Sequence, residues 1–441
     1  MRADRSGTIV LGLGETGRSC VAFLHGREPL AAFDTRPSPP GLTELRRAHP
    51  DLRLIDAANW DLEVSNATRV LVSPSIDPEH CLVRRARAGG AAIASDIELF
   101  LAAARAPVIG ITGTNGKSTV TALVGELLAA TGRNVGVGGN LGPPALDLLH
   151  PDRDAYVLEL SSFQLQRLRR PALAVACVLN ISPDHLDRHH NIARYAACKR
   201  RIYGGSKVAV FNADDTRTWP QTGGGIALGG ADWRIDGDTL LLGGETMTTQ
   251  EVALKGRHNH FNVLAAAAVA AAAGMRVTDM KPIFRRFAGL PHRCTEVARM
   301  AGVTFVDDSK ATNVGACRAA LEGLGNDSRN LVWIAGGDAK GATFEELAVP
   351  ARRHVAHALL IGRDAARLAE GLGDAVPVTR VADMQTAVRE ALRLARPTRT
   401  VLLSPACASF DMYDNYEARG RDFTAAALAL GASAADSGVG S

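Results

Sequence analysis

The stretch "APVIGITGTNGKSTVTALVGELL", residues 106 to 128, constrains the fold of this chain more than any other. An apolar run of strand character breaks into a glycine-rich turn and then into apolar residues at helical spacing, so it reads as strand, loop, helix. Glycines let the backbone curl until several N–H groups converge. The helix that follows adds unpaired amides and its dipole, and Lys117 adds a mobile charge. That combination holds an anion. Ser118 and Thr119 offer hydroxyls to a magnesium ion bridged to phosphate oxygens. The spacing departs from the general phosphate loop, which has about four residues between its first glycine and the Gly-Lys pair. Here Gly113 and Gly116 enclose only Thr114 and Asn115, so a plain glycine-rich turn competes with the phosphate reading.

The 441 residues exceed one ordinary core and imply two to three domains. Strand and helix patterns alternate almost throughout, which argues for parallel sheets with helices on both faces. Three blocks separate, at 1–97, 98–290 and 291–441. The second carries short alternating pieces such as "WRIDGDTLLL", read as a small antiparallel accessory sheet, and an alanine-rich buried helix. The tail "GASAADSGVGS" reads as frayed. Polar motifs fall at strand ends, where open parallel sheets bind ligands, so the pattern implies three facing crevices.

Several classes are excluded. A net charge of +4 is spread along the chain, and the basic knots "RRARAGG" and "CKRRIY" read as solvated faces rather than a nucleic-acid footprint. Seven scattered cysteines without C-x-x-C spacing argue against zinc and disulfides and fit a reducing cytoplasm. The apolar stretch Val263 to Met275 is shorter than the ~18 to 20 residues of a membrane span. The N-terminal "TIVLGLG" reads as a first strand rather than a signal peptide.

"GLGETG" places Gly12, Gly14 and Gly17 in the full G-x-G-x-x-G pattern, and Asp34 follows about twenty residues on, as in a dinucleotide site. Alone this favours a nicotinamide-dependent oxidoreductase. Against it stand the second phosphate loop and the lack of an obvious hydride-transfer partner. Glu159, ending "AYVLEL", stands where a magnesium ligand belongs. "NISPDHLDRHH" sets Asn180, Asp184, His185 and Asp187 at another strand end, consistent with a second metal position. Lys199 lies in a helical pattern, where a lysine ordinarily faces solvent.

Together "TGTNGKSTVTALVGELL", "VGVGGNLG", "YVLELSSFQL", "LNISPDHLDRH", "YAACKRRIY", "FNADD", "GRHNHFN", "GLPHRCTEV", "DDSKATN", "GGDAKG" and "LSPACASFDMYDNYEARG" resemble the Mur ligase family, in collinear order from about Gly7 to Leu428. T-G-x-x-G-K-[ST] is that family's own phosphate loop. The resemblance implies an α/β protein of three domains: a Rossmann-like first domain for a UDP-linked substrate, a central P-loop ATPase-like parallel sheet, and a Rossmann-like third domain for an amino acid. It implies an ATP-dependent carbon–nitrogen ligase that adds D-glutamate to UDP-N-acetylmuramoyl-L-alanine through an acyl phosphate, giving ADP and phosphate, in peptidoglycan precursor synthesis. The implied enzyme is a cytoplasmic monomer with no nucleic-acid or membrane partner.

Residue by residue, the resemblance puts Glu15, Thr16, Asp34, Thr35 and Arg36 near uracil and phosphates, and Asn140, Ser161 and Gln164 along the substrate path. Gly113, Thr114, Asn115, Gly116, Lys117, Ser118 and Thr119 would hold ATP, with Asn259 and Asn262 on its adenine side and Arg293 and Asp308 reaching it from the third domain. Ser118, Thr119, Glu159, His185 and Lys199 would serve two magnesium ions, Lys199 as a carbamate; Lys117, Glu159, His185 and Lys199 are the implied catalytic set. Lys310, Thr312, Lys340, Ser409 and Tyr416 would receive D-glutamate. Ser75, Phe410 and Tyr416 depart from the usual family residues. The alternatives are a family member adding another amino acid, the oxidoreductase, and a non-catalytic nucleotide-binding regulator.

Overall fold

Short apolar runs that end in glycine or polar turns become parallel strands, because a strand buried on both faces needs no polar alternation. The computed structural model describes residues 7–221, 223–254, 256–395 and 399–435. The first sheet orders its five parallel strands Arg53–Leu54, Leu30–Phe33, Thr8–Leu11, Arg69–Val72 and Ala92–Ala94. Strand order reverses between Thr8–Leu11 and Arg69–Val72, which opens a crevice at their carboxyl ends.

The central sheet has six parallel strands in the order Ile226–Leu228, Val208–Asn212, Val175–Val178, Val108–Thr112, Ala155–Glu159 and Val135–Gly139. The glycine loop follows the inner strand Val108–Thr112, so its helix, Lys117–Ala129, starts at the sheet's middle. The accessory sheet is present as three antiparallel strands, Trp233–Asp236, Thr239–Leu242 and Glu245–Thr248. The alanine-rich helix, Arg257–Ala272, is buried from Asn262 to Ala270 and packs against Lys117–Ala129. Its small side chains permit that close approach.

The third sheet runs Val378–Arg380, Val355–Ile361, Leu331–Gly336, Thr400–Leu403 and Val303–Asp307, all parallel, then adds antiparallel Thr295–Met300 and Ser433–Ala434. The tail expected to fray therefore pairs as an edge strand at Ser433–Ala434, held by Ala435 N donating to Val297 O at 3.1 Å. Residues 436–441 of that expectation lie outside the described residues.

One apolar cluster joins Val10, Val21 and Leu71 of the first sheet region to Leu158, Leu165 and Val178 of the central one. Helix Asp96–Ala103 contributes Ile97 and Phe100 to it and runs across the expected 97/98 seam. Its start is fixed by a capping box, with Glu98 N donating to Ser95 Oγ at 3.2 Å and Ser95 N to Glu98 Oε2 at 3.1 Å. Third-domain side chains form two clusters of their own. All seven cysteines are free thiols, and among the described residues no helix is long and apolar enough to cross a membrane.

The third glycine of "GLGETG" is needed for close packing: a Cβ at Gly17 would lie 1.8 Å from the Gly12 carbonyl oxygen. Gly17→Ala is expected to lose roughly 2–4 kcal/mol of stability, read from the urea unfolding midpoint. An unchanged midpoint would show that the turn has room to spare.

Candidate active site

Helix Lys117–Ala129 makes its first intrahelical bond from Val120 N to Gly116 O at 3.0 Å, so the N–H groups of Lys117, Ser118 and Thr119 stay open at its start. Gly116 sits at φ +81°, where a Cβ would come 2.3 Å from Asn262 Oδ1. Asn180 shapes the loop from behind: its Oδ1 accepts from Asn115 N at 2.9 Å and its backbone oxygen from Thr114 N at 2.9 Å. Open amides, a glycine that only glycine can fill, and Lys117 together form an anion cradle. Lys117 Nζ donates to Thr114 O at 2.7 Å.

The cradle opens into a cleft of about 360 Å³ between the central and third domains. Thr114, Asn115, Gly116, Lys117, Ser118 and Thr119 line one wall. Asn140, Glu159 and His185 stand beside them, and Asn259 and Asn262 come from the alanine-rich helix. Arg293, Asp308, Lys310 and Thr312 close it from the third domain. Ser118 Oγ donates to Glu159 Oε2 at 2.6 Å and accepts from Arg293 Nη2 at 2.6 Å, and Asn140 Nδ2 donates to Glu159 Oε1 at 2.8 Å.

Burial pushes the Lys117 ammonium below its ordinary value, against the pull of Glu159 and Asp184. Burial alone would raise Glu159; Lys117 and the bonds from Ser118 and Asn140 outweigh it, and the carboxyl lies below its usual range. Asp308 is pushed up to about 7 by burial, in spite of the Ser404 hydrogen bond and Arg293.

The hard oxygens of Ser118 and Glu159, beside a cradle for phosphate, match what a magnesium ion takes when phosphate and water complete its shell. Among the described residues no group of three or more His, Cys, Asp or Glu gathers for a metal. Lys199 departs from the solvent-facing default. It is 1% exposed, and its Nζ donates to Gly113 O at 2.7 Å and Thr112 Oγ1 at 3.3 Å beneath the loop. Burial, then the charge of Lys117, holds its amine well below the ordinary value. As an ammonium it is a donor only and ligates no metal. His185, at φ +53°, faces the cleft with Nε2 3.7 Å from Asp184 Oδ2.

Other expected residues do not line this cleft. Ser161 and Gln164 form a capping box at the helix Ser162–Leu165, with Gln164 N on Ser161 Oγ at 3.2 Å and Ser161 N on Gln164 Oε1 at 3.0 Å. Glu15, Thr16, Asp34, Thr35 and Arg36 lie at the first-domain crevice. There Asp34 accepts from Leu13 N at 2.6 Å and pairs with Arg36 through both oxygens at 2.9 Å. Burial would raise Asp34, but the Arg36 and Leu13 bonds bring it down to about 2. In the third domain Lys340 Nζ lies 3.6 Å from Asp184 Oδ1, Ser409 is buried, and Tyr416 carries Lys310 Nζ 3.8 Å above its ring. Sequence reasoning passed over Asn313, which donates to Asn115 Oδ1 at 3.2 Å across the cleft and caps helix Val314–Leu324. An asparagine directly before a helical run was its available signal.

Family models for the Mur ligase MurD-like N-terminal domain, the Mur ligase middle domain and the Mur ligase glutamate ligase domain match residues 6–95, 111–224 and 292–407. A UDP-N-acetylmuramoylalanine--D-glutamate ligase from Methylococcus capsulatus is 46% identical over 441 aligned positions, covering 97% of this chain and 95% of that protein. The chain belongs to the Mur ligase family. The ligase of the same name from Pseudomonas fluorescens is 44% identical, covering 94% of this chain and 96% of its own length. The UDP-N-acetylmuramate-alanine ligase of Thermotoga maritima shares the fold of this Mur ligase, with TM-score 0.61 at 15% identity, over 97% of this chain and 100% of that one. Membership sets aside the oxidoreductase reading offered by the spacing of Gly12, Gly14 and Gly17.

Lys117→Ala in this Mur ligase is expected to cut nucleotide-dependent turnover by about a thousandfold, with the melting temperature unchanged, when ADP release is followed. Turnover that survived would mean that the cradle does not hold the reacting phosphate.

Proposed function

We propose that this chain is an ATP-dependent ligase that joins D-glutamate to UDP-N-acetylmuramoyl-L-alanine, releasing ADP and phosphate, as a cytoplasmic step of peptidoglycan precursor synthesis. One observation carries the reading: an anion cradle with Lys117 faces, across a single cleft, a third-domain wall bearing Arg293, Lys310 and Thr312. The relatives described above, at 44% and 46% identity over nearly the whole chain, support the choice of substrates.

When bound, ATP supplies the phosphoryl group that turns the inert alanyl carboxylate into an acyl phosphate open to attack by the glutamate amine, and magnesium neutralises phosphate charge. The open amides of residues 117–119 and the Lys117 ammonium bind the phosphates and stabilise charge during transfer. Ser118 and Glu159 would hold one metal ion. His185 and a carbamylated Lys199 would serve a second, which requires Lys199 to release the Gly113 carbonyl. Asn259, Asn262 and Asp308 would bind the nucleoside, and Glu15, Thr16, Thr35 and Arg36 the uridine diphosphate, with Asp34 shaping the turn. Lys310, Thr312, Lys340, Ser409 and Tyr416 would receive the dicarboxylate. Arg293 and Asn313, bonded across the cleft to Ser118 and Asn115, keep the third domain against the loop and water out of the transfer space. The enzyme would work as a monomer, since both walls of the cleft come from one chain.

A phosphate-release assay with the muramoyl nucleotide fixed and amino acids varied tests the reading. Release is expected with D-glutamate and not with L-glutamate, L-alanine or diaminopimelate; preference for any of those would assign the chain to a neighbouring ligase.

Lys310 gives a pH signature. Burial, then the charge of Arg293, brings its ammonium down to about 8, so it is charged below that pH and neutral above. Binding of glutarate, a dicarboxylate without an amine, is therefore expected to be tight at neutral pH and to weaken as pH rises through about 8. Lys310→Gln should bind weakly and flatten the profile; a flat wild-type profile would remove Lys310 from the acceptor site.

A further inference from the structure

Five consecutive backbone carbonyls, Val72 to Ile76, all accept hydrogen bonds from two guanidinium groups of the central domain. Arg167 Nη1 donates to Ser73 O at 3.0 Å and Val72 O at 3.5 Å, and its Nη2 to Ile76 O. Arg188 Nη1 donates to Ser75 O at 3.1 Å, and its Nη2 to Ile76 O at 3.0 Å and Pro74 O at 3.2 Å. The carbonyls belong to the loop that leaves strand Arg69–Val72 at the reversal of strand order in the first sheet. That loop lies on the glycine turn: a Cβ at Gly12 would sit 2.7 Å from Ser73 Cβ and 3.0 Å from Ile76 Cδ1.

The arrangement is electrostatically expensive. The Arg188 side chain is 8% exposed, and burial, then the neighbouring Arg188 charge, brings Arg167 down to about 10. Asp77 Oδ2 lies 3.5 Å from Arg188 Nε, and neither arginine's Nε has a hydrogen-bond partner. Apolar side chains would hold two domains together at lower cost, so the gain from two desolvated cations on one loop is geometric definition. On its other flank Arg188 lies 4.6 Å over the Phe163 ring, whose centroid is 4.8 Å from that of His185. Arg188 also sits three residues after His185, in the single turn Leu186–His189. One side chain thus touches the first-domain crevice loop and the aromatic ring beside a cleft residue.

We propose that Arg188, backed by Arg167, is a positioning residue that sets the first-domain crevice at the distance from the phosphate-transfer cleft required by a substrate spanning both. The proposal rests on the functional reading above, in which the UDP group occupies the crevice and the alanyl carboxylate the cleft. A ligand confined to one site does not sense their separation; a ligand bridging both loses affinity and alignment when the separation is undefined. Ser75 gives its carbonyl to this clamp and pairs its hydroxyl with Ser73 Oγ at 3.2 Å.

The test compares wild type with Arg188→Gln and Arg188→Lys. Arg188→Gln is expected to raise KM for UDP-N-acetylmuramoyl-L-alanine about tenfold and to lower kcat, while KM for ATP and the calorimetric Kd for UDP alone stay within about twofold. Arg188→Lys keeps the charge but not the forked reach to three carbonyls, and should fall between; it is read in the same way if Arg188→Gln does not fold. A loss of UDP affinity equal to the loss for the full substrate would overturn the proposal, since Arg188 would then only shape the crevice, and so would an unmoved KM. Wild-type turnover is measured first, and its absence with the muramoyl substrate would overturn the functional reading alone. Amide hydrogen exchange across residues 72–77 still judges the clamp in that case: faster exchange in Arg188→Lys supports it, and unchanged exchange overturns it.

Discussion

The hydrogen bond from Arg293 to Ser118 Oγ, 2.6 Å long, joins the third domain to the start of the helix that carries the anion cradle. The same hydroxyl donates to Glu159, which in turn answers Lys117, so one oxygen links both walls of the cleft to its central charge pair. Lys117, Arg293, Lys310 and Lys340 supply more positive charge around the cleft than Glu159 and Asp184 balance, and burial raises Asp308 to about 7. A site with that surplus, shielded from water, favours a polyphosphate.

Domain seams differ in kind. The first and central domains share an apolar cluster and are clamped by Arg167 and Arg188, so separating them would expose apolar surface and strand two buried cations. Across the cleft, Asn313 to Asn115, Lys340 to Asp184 and Arg293 to Ser118 are polar contacts that water can replace. Polar contacts of that kind can be made and broken in water, as at a wall that closes over bound substrates. The first-domain crevice loop is thus tied to the domain that carries the cradle.

Much of the fold was legible because its signals are local. The loop at residues 113–119, the strand ends, the accessory sheet and the buried alanine-rich helix each follow from residues within a turn or two of one another. Some expected site residues carry a local role as well. The pair Ser161 and Gln164 carries the S-x-x-Q capping pattern, and the structure uses both side chains for that box. Asp34 stands at the distance from the glycines that a ligand-binding acid takes, and its carboxylate also fixes the turn through Leu13.

Local sequence by itself determined three strand-rich blocks and a phosphate-type loop near the start of the second, since backbone curl and helix start depend on neighbours. Tertiary structure alone decided which side chains meet. Lys199 turns from a helical position into the space beneath Gly113, and Arg167 and Arg188 reach residues 72–76 across about a hundred positions of sequence. Arg293 meets Ser118 across 175 positions of sequence, where the third domain meets the central one. Charges brought together across such separations are set by how whole sheets pack, and no periodicity in the chain encodes that.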